Sequence, residues 1–220
     1  MTAGFLQANE AKMRRVTWYF DFISPYSYFS VHTLQRLGLD EAEVQFQPIL
    51  FAAILNHWGQ KGPAEMPTKR TWTYRSCVWW AQQNNMQFRV PAAHPFNPLP
   101  YLRLCIAAGN TATAVRTIFD GLWTTGVDPG DPGAVASLAA SLNVPLERIA
   151  DPAVKNALRE STEQAVQRGV FGVPTFAIDE HLFWGNDSVD FAAAYLRDPS
   201  IMQTRDMKLI DTLPVGASRT

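Results

Sequence analysis

The stretch from Trp18 to Gly38, WYFDFISPYSYFSVHTLQRLG, decides the fold of this chain. Residues 16–22 (VTWYFDF) are β-branched and aromatic with one interior charge, which predicts a buried strand. After Pro25, apolar residues recur at helical spacing until Gly38 provides a stop, namely Tyr28, Phe29, Val31, Leu34 and Leu37. The pattern predicts a strand that runs directly into a helix, with Ser24 and Pro25 at the junction.

The rest of the chain extends this unit. VQFQPI (44–49) alternates like a second strand, and its distance from the first leaves room for one helix, so the two strands are predicted to be parallel. Residues 51–169 carry mostly helical signals. The chain then reads as a turn, a strand at Thr175–Ile178, a short strand at Leu182–Trp184 and a closing helix from about Asp187. Residues 1–14 and 199–220 are interpreted as terminal arms.

Composition narrows the class of function. The 220 residues carry 19 basic and 20 acidic side chains, without a basic run or heptads, so small molecules are favoured over nucleic acid. The first fifteen residues lack the apolar core of a signal peptide, and no apolar run is long enough to span a membrane, which predicts a cytoplasmic location. Cys77 and Cys105 are far apart in apolar surroundings, which predicts two buried free thiols and no metal site.

Two proline motifs have ordinary structural explanations. Serine is a preferred helix N-cap and proline fits the first helical turn, so Ser24-Pro25 is consistent with a simple cap. In GVPTF (172–176), Pro174 introduces a strand, and the residues alone leave its peptide isomer open.

Taken together, the motifs resemble a known family. The SPYS junction, the large helical insertion and FGVPTF before a ββα close resemble the DsbA-like branch of the thioredoxin superfamily. Its redox members begin the helix with CPxC; here Ser24 and Ser27 occupy both cysteine positions, which excludes dithiol chemistry. FDFISPYSY and FWGND are similar to 2-hydroxychromene-2-carboxylate isomerases and to the related kappa-class glutathione transferases.

The resemblance implies a fold and an assembly. We expect an α/β, thioredoxin-like βαβ…ββα core with a large α-helical insertion over about 51–169, forming a single unit over 15–198. It further implies a cytoplasmic homodimer that acts on a small aromatic molecule in aromatic catabolism, with neither a nucleic-acid partner nor a membrane.

The resemblance also implies glutathione as the cofactor and assigns residues to it. Ser24 matches the serine that contacts the glutathione sulfur, with Pro25 and Tyr26 beside it. Val173 matches the residue whose backbone pairs with the glutathione cysteinyl backbone, which we expect a cis Pro174 to expose. The remaining expected glutathione contacts are Asn186 and Asp187 at the γ-glutamyl end, and Gln60 and Lys69 in GQKGPAEMPTK (59–69).

Two departures from the family bear on affinity and substrate. Ser188 stands where the family commonly has an arginine, and LNHW (55–58) lacks the lysine that isomerases present toward the substrate. The side chains nominated for substrate contact are Asn56, His57, Arg70, Tyr74, His94 and Trp184. The tryptophans Trp79 and Trp80 are interpreted as core residues, and His32 and His181 as structural or exposed.

A helix N-terminus favours an anion, and this suggests what Ser24 does. Its hydroxyl would donate a hydrogen bond to a glutathione thiolate, which adds to a double bond of a ring-opened aromatic intermediate and allows cis-trans isomerisation. Two alternatives remain open at this point: a kappa-like transferase or peroxidase, which the match of GQKGPAEMPTK favours, and a non-catalytic thiol- or peptide-binding module.

Overall fold

A computed structural model describes residues 15–39 and 43–217 of the protein. Its sheet has four strands in the order β2-β1-β3-β4. The strands are β1 (Val16–Phe20), β2 (Val44–Pro48), β3 (Thr175–Ile178) and β4 (His181–Trp184). Strand β1 pairs in parallel with β2 and antiparallel with β3, and β4 closes the sheet antiparallel to β3. The parallel first pair and the ββα close of the predicted fold are confirmed.

Nine α-helices lie within the described residues. They are α1 (Pro25–Val31), α2 (Phe51–His57), α3 (Pro67–Gln83), α4 (Leu99–Ala107), α5 (Ala112–Trp123), α6 (Pro132–Ser141), α7 (Pro152–Gln167), α8 (Val189–Arg197) and α9 (Arg205–Ile210). Helices α2 to α7 all fall between β2 and β3, where the sequence predicts helices. None of the helices in the described ranges is long and apolar enough to cross a membrane.

Helix α1 is shorter than its apolar periodicity predicts. The amides of His32 and Thr33 bond to carbonyls three residues back, at 3.2 and 3.0 Å, which tightens the last turn. The Thr33 hydroxyl also donates to the carbonyl of Ser30 at 3.1 Å. The chain continues as a 3₁₀ turn over Leu34–Leu37 and leaves it through Gly38, whose φ is 73°. The prediction of one helix up to Gly38 was therefore wrong in its second half.

Strand β1 is buried on both faces of the sheet. Trp18 and Phe20 stack with ring centroids 4.4 Å apart and pack with Phe119 of α5 on one face. Tyr19 belongs to a second apolar cluster on the other face, together with Ile54 of α2 and residues of the loop after α7. Helices therefore cover both sides of β1, and the end of this strand, which leads to Ser24, is held rigidly.

The prediction of two buried free thiols is confirmed, whereas the prediction that Trp79 is a core residue is wrong. Cys77 and Cys105 are both free and buried. Trp80 packs against Phe29 at 4.5 Å, but Trp79 is 60% exposed. The buried stripe of α3 runs at four-residue spacing through Thr73, Cys77 and Ala81, so a side chain two residues from Cys77 points away from the core.

Of the two predicted terminal arms, the structure describes only residues 199–217 of the second. Residues 1–14, interpreted as an arm, lie outside the described residues. Beyond α8 the chain forms a 3₁₀ turn at Pro199–Gln203 and the exposed helix α9.

Candidate functional site

Strand pairing brings the three separated motifs together. Tyr19 pairs with Thr175, which places the end of β1 beside Pro174. Thr175 pairs in turn with Trp184, and the amide of Gly185 donates to the carbonyl of Pro174 at 2.9 Å. Helix α1 also contacts the 3₁₀ turn at 186–188. SPYS, GVP and GND therefore meet at one edge of the sheet, although about 150 residues separate the first motif from the others.

Ser24 is the N-cap of α1, as the simple structural explanation required. Its Oγ accepts a hydrogen bond from the amide of Ser27 at 3.2 Å, and the residue is 6% exposed. The Ser24 hydroxyl donates to no described residue, so its hydrogen is available to a ligand. The amide of Tyr26 likewise has no partner within the described residues, and Pro25 has no amide hydrogen to offer. The N-terminus of α1 thus offers two uncommitted donors.

Ser27, at the second cysteine position, is fully buried, and its hydroxyl has no partner among the described residues. Its amide serves the cap, and its hydroxyl is out of reach of a ligand.

A buried carboxylate that sequence reasoning missed braces the turn before Ser24. Asp21 is fully buried; its Oδ1 accepts from the amide of Ile23 at 3.1 Å and its Oδ2 from the amide of Phe51 at 2.9 Å. Burial raises the pKa of Asp21 to about 7, against the backbone hydrogen bonds, which lower it. The signal in the sequence was the single charge within an aromatic strand. Asp21 ties the Ser24 turn to the start of α2.

The carbonyls of the same turn are held by two ring N–H groups. Trp123 Nε1 donates to the carbonyl of Phe22 at 2.9 Å. His94 Nε2 lies 2.7 Å from the carbonyl oxygen of Ile23, and the two rings are 5.4 Å apart. Since a carbonyl only accepts, His94 carries its hydrogen on Nε2. Burial lowers the pKa of His94, and the Arg70 charge lowers it further, which favours the neutral ring.

The GVP motif contains a stretch of backbone that is open in the sense that its amide and carbonyl are unpaired. The Val173–Pro174 peptide is cis, as expected from the resemblance. Neither the amide nor the carbonyl of Val173 is hydrogen bonded to any described residue. A Cβ on Gly172 would lie 2.3 Å from Nε1 of Trp184, so a larger residue at this position would have to displace that ring. Trp184 itself is 54% exposed and contacts Phe171, so an aromatic pair flanks the open backbone.

The GNDS turn leaves two side-chain groups unused. The Oδ1 of Asn186 is buried without a partner among the described residues. The carboxylate of Asp187 is exposed and forms no hydrogen bond or ion pair within the described ranges. Asp187 does not cap the closing helix, because the N-cap position of α8 belongs to Ser188. The Ser188 hydroxyl donates instead to the carbonyl of Gly185 at 2.8 Å.

Three of the nominated substrate residues form one cluster. Arg70 Nη2 donates to the carbonyl of His94 at 2.8 Å, and its Nε lies 3.3 Å from the hydroxyl of Tyr74. The Tyr74 hydroxyl bonds to Nδ1 of His94. This cluster adjoins the Ser24 turn through the bond from His94 to Ile23.

Four more of the expected site residues lie on α2, on α3 and in the loop between them. Asn56 and His57 are exposed at the end of α2, and Gln60 and Lys69 are exposed near the start of α3. Trp58 Nε1 donates to the carbonyl of Val170 at 2.9 Å and so links the end of α2 to the segment that precedes Val173.

Two histidines have the structural roles that the sequence suggested. His32 pairs with Asp120 at 3.0 Å, and His181 lies 3.4 Å from Glu180. Neither one contacts the motifs around Ser24.

Comparison with known proteins decides the family. Residues 15–197 match the model of the DSBA-like thioredoxin domain. The chain belongs to this family. Within the DSBA-like family, it is 28% identical over 193 residues to a 2-hydroxychromene-2-carboxylate isomerase of Sphingobium xenophagum, covering 84% of this chain and 99% of that protein. It is 29% identical over 216 residues to glutathione S-transferase kappa 2 of Caenorhabditis elegans, covering 88% and 96%.

Comparison with solved structures supports the same family. The structure of a 2-hydroxychromene-2-carboxylate isomerase superposes with a TM-score of 0.73 at 25% identity, over 87% of this chain and 98% of the other. The resemblance read from the motifs is thus confirmed at the level of family and fold.

Proposed function

We propose that the protein is a glutathione-dependent cis-trans isomerase of ring-opened aromatic intermediates, similar in activity to the 2-hydroxychromene-2-carboxylate isomerases. The observation that carries the proposal is the uncommitted hydroxyl of Ser24 at the N-terminus of α1. That hydroxyl and the free amide of Tyr26 suit an anion, and the chain has no thiol of its own at this position. A thiolate from outside the protein fits this arrangement.

The residues around Ser24 fit glutathione group by group. The open amide and carbonyl of Val173 suit a short extended peptide, which would pair with them as an added strand. The unused carboxylate of Asp187 suits the γ-glutamyl ammonium. Three groups that the fold leaves unpaired, the amide and carbonyl of Val173 and the carboxylate of Asp187, thus correspond to groups of one tripeptide.

When bound, glutathione supplies a thiolate that adds reversibly to the conjugated double bond of the substrate and leaves a single bond free to rotate. Ser24 and Tyr26 hold the negative charge of the thiolate before the addition. Arg70 lies on the side reached through His94, and its remaining guanidinium donors suit the carboxylate and the enolate charge of an α-keto acid. Tyr74 accepts from Arg70 Nε and so orients the guanidinium. Trp184 offers an exposed aromatic face beside the motif.

The direct test is to incubate the protein with glutathione and hydroxybenzylidenepyruvate and to follow cis-trans equilibration by absorbance. We expect equilibration only with both protein and glutathione present, and loss of it in Ser24→Ala at neutral pH. A parallel incubation with a generic aromatic electrophile reports transferase activity, which the kappa-class relative favours as the second candidate. Conjugation without equilibration would replace the isomerase proposal by the transferase; binding of glutathione without either reaction would leave a thiol-binding module.

A further inference from the structure

The turn that presents Ser24 is held at every peptide group by a partner. The Ser24 amide donates to the carbonyl of Asp21 at 3.1 Å, and the Ile23 amide donates to the Asp21 carboxylate. The carbonyls of Phe22 and Ile23 accept from Trp123 and His94. Both ring donors come from the helical insertion, so the insertion completes a turn that the sheet alone leaves open.

His94 has both of its ring nitrogens engaged, and their partners belong to different parts of the site. Its Nε2–H donates to Ile23 at 2.7 Å, and this fixes the tautomer. Nδ1 is then an acceptor, so the hydroxyl of Tyr74 donates to it. With that hydrogen committed, the oxygen of Tyr74 is left to accept from Arg70 Nε at 3.3 Å. One ring therefore orders a chain of bonds from Arg70 to the peptide before Ser24.

We propose that His94 is a positioning residue that couples the turn at Ser24 to the cluster of Arg70 and Tyr74. It acts through Nε2–H on the Ile23–Ser24 peptide and through Nδ1 on Tyr74. The inference rests on the proposed function for the ligands that the Ser24 turn and the Arg70–Tyr74 cluster bind, glutathione and substrate. His94 was nominated as a substrate contact; with both nitrogens bonded to protein groups, it acts instead through Ser24 and Tyr74.

The bond to Ile23 matters because its carbonyl and the Ser24 amide belong to one peptide plane. In a trans peptide these groups point in opposite directions, and here each has a partner, Asp21 for the amide and His94 for the carbonyl. Without the His94 donor, the half-buried carbonyl of Ile23 is left unpaired, and the peptide is free to turn toward another donor. That rotation breaks the bond from the Ser24 amide to Asp21 and displaces Ser24.

The test uses two variants that each keep one bond. The amide nitrogen of glutamine reaches the position of Nε2, so His94→Gln keeps a donor for Ile23 but removes the acceptor for Tyr74. The amide oxygen of asparagine reaches the position of Nδ1, so His94→Asn keeps the acceptor but removes the donor. Tyr74→Phe is the matched control for the first variant, because it breaks the same bond from the other side.

We expect the two variants to fail differently. In His94→Asn the thiol pKa of bound glutathione should rise by about one unit, the size expected for a lost hydrogen bond. The KM for hydroxybenzylidenepyruvate should stay unchanged. In His94→Gln and Tyr74→Phe the thiol pKa should stay unchanged and KM should rise about tenfold, as one lost polar contact predicts. Equal effects of His94→Asn and His94→Gln on both quantities would overturn the proposal.

NMR measurements on the wild-type protein and the two His94 variants, all without glutathione, test the inference separately from the proposed function. Nitrogen NMR of the imidazole should show the hydrogen on Nε2, and the amide resonance of Ser24 should shift in His94→Asn but not in His94→Gln. A hydrogen on Nδ1 would overturn the positioning role even in an active enzyme. If the NMR result is as expected but the protein does not lower the thiol pKa of glutathione, the bond from His94 to Ile23 stands and the proposed function is rejected.

Discussion

Replacing Ser24 by alanine removes one oxygen that has two roles in the structure. The oxygen accepts from the amide of Ser27 at 3.2 Å, which caps α1, and its hydrogen is free to bind a thiolate. Loss of the cap costs about 1 kcal/mol of stability. Loss of the donor acts on the thiol pKa of bound glutathione, and the two effects are measured separately.

The size of the pKa change follows from the donors at the end of α1. A free thiol titrates near 8.5, and ionisation at neutral pH needs a fall of about two units, or roughly 2.7 kcal/mol. Helix α1 has only seven residues, so its N-terminus contributes toward the lower end of about 0.3–1 kcal/mol. A hydrogen bond to a charged acceptor contributes about 1.5–3 kcal/mol. Ser24→Ala should therefore raise the thiol pKa by about one to two units.

The assay is the ultraviolet absorbance of the thiolate in the glutathione complex against pH, with thermal melting alongside. Thr111 is a matched control, since it caps α5 by accepting from the amide of Ala114 at the same 3.2 Å. Thr111→Ala should lower the melting temperature without moving the thiol pKa. Ser24→Gly should keep most of the cap stability and still raise the pKa. If wild type and Ser24→Ala titrate along one curve, Ser24 is only a cap and the reasoning fails.

Three further predictions concern neighbouring residues. Asp187→Asn should weaken glutathione binding in a calorimetric titration and leave the melting temperature unchanged, because the carboxylate caps nothing; an unchanged affinity would reject its role. Gly172→Ala should displace Trp184, which its Cβ would meet at 2.3 Å, and shift the tryptophan fluorescence; an unshifted spectrum would show that the approach is looser. Burial raises the pKa of Asp21 from 3.8 to about 7, so its protonated form contributes stability that is complete below about pH 4 and lost as the pH rises through 7. Urea unfolding should show this slope, up to about 1.4 kcal/mol per pH unit, and Asp21→Asn should abolish it; a slope that survives the substitution would assign it to another group.

The sheet was predictable because its strands carry strong local patterns. VTWYF and TFAI are wholly apolar or β-branched, and both form fully buried strands. The end of α1 was not predictable from periodicity, because Leu34 and Leu37 keep helical spacing while the backbone has already tightened to a 3₁₀ turn. Apolar spacing reports which side chains face the core, and both kinds of helix satisfy it over one turn.

The site was predictable in its motifs but not in its supports. SPYS, GVP and GND are short and local, and the register of β1, β3 and β4 brings them together. The groups that hold the Ser24 turn reach it across long stretches of chain, 101 residues for Trp123 and 71 for His94. A tryptophan amid apolar helix residues and a histidine in a loop give no local sign of such a partner, so these roles required the fold.

The serine in place of cysteine does more than remove a thiol. In the structure the Ser24 oxygen already accepts the Ser27 amide, and Pro25 removes another donor, so most of the N-terminal donors of α1 are spent. What remains is one amide, that of Tyr26, and the hydroxyl hydrogen that a serine has in addition to an acceptor oxygen. A cysteine thiolate at this position would consume the amides and offer no hydrogen. Serine completes the helix and still donates outward, and this is the property that a site for a borrowed thiolate needs.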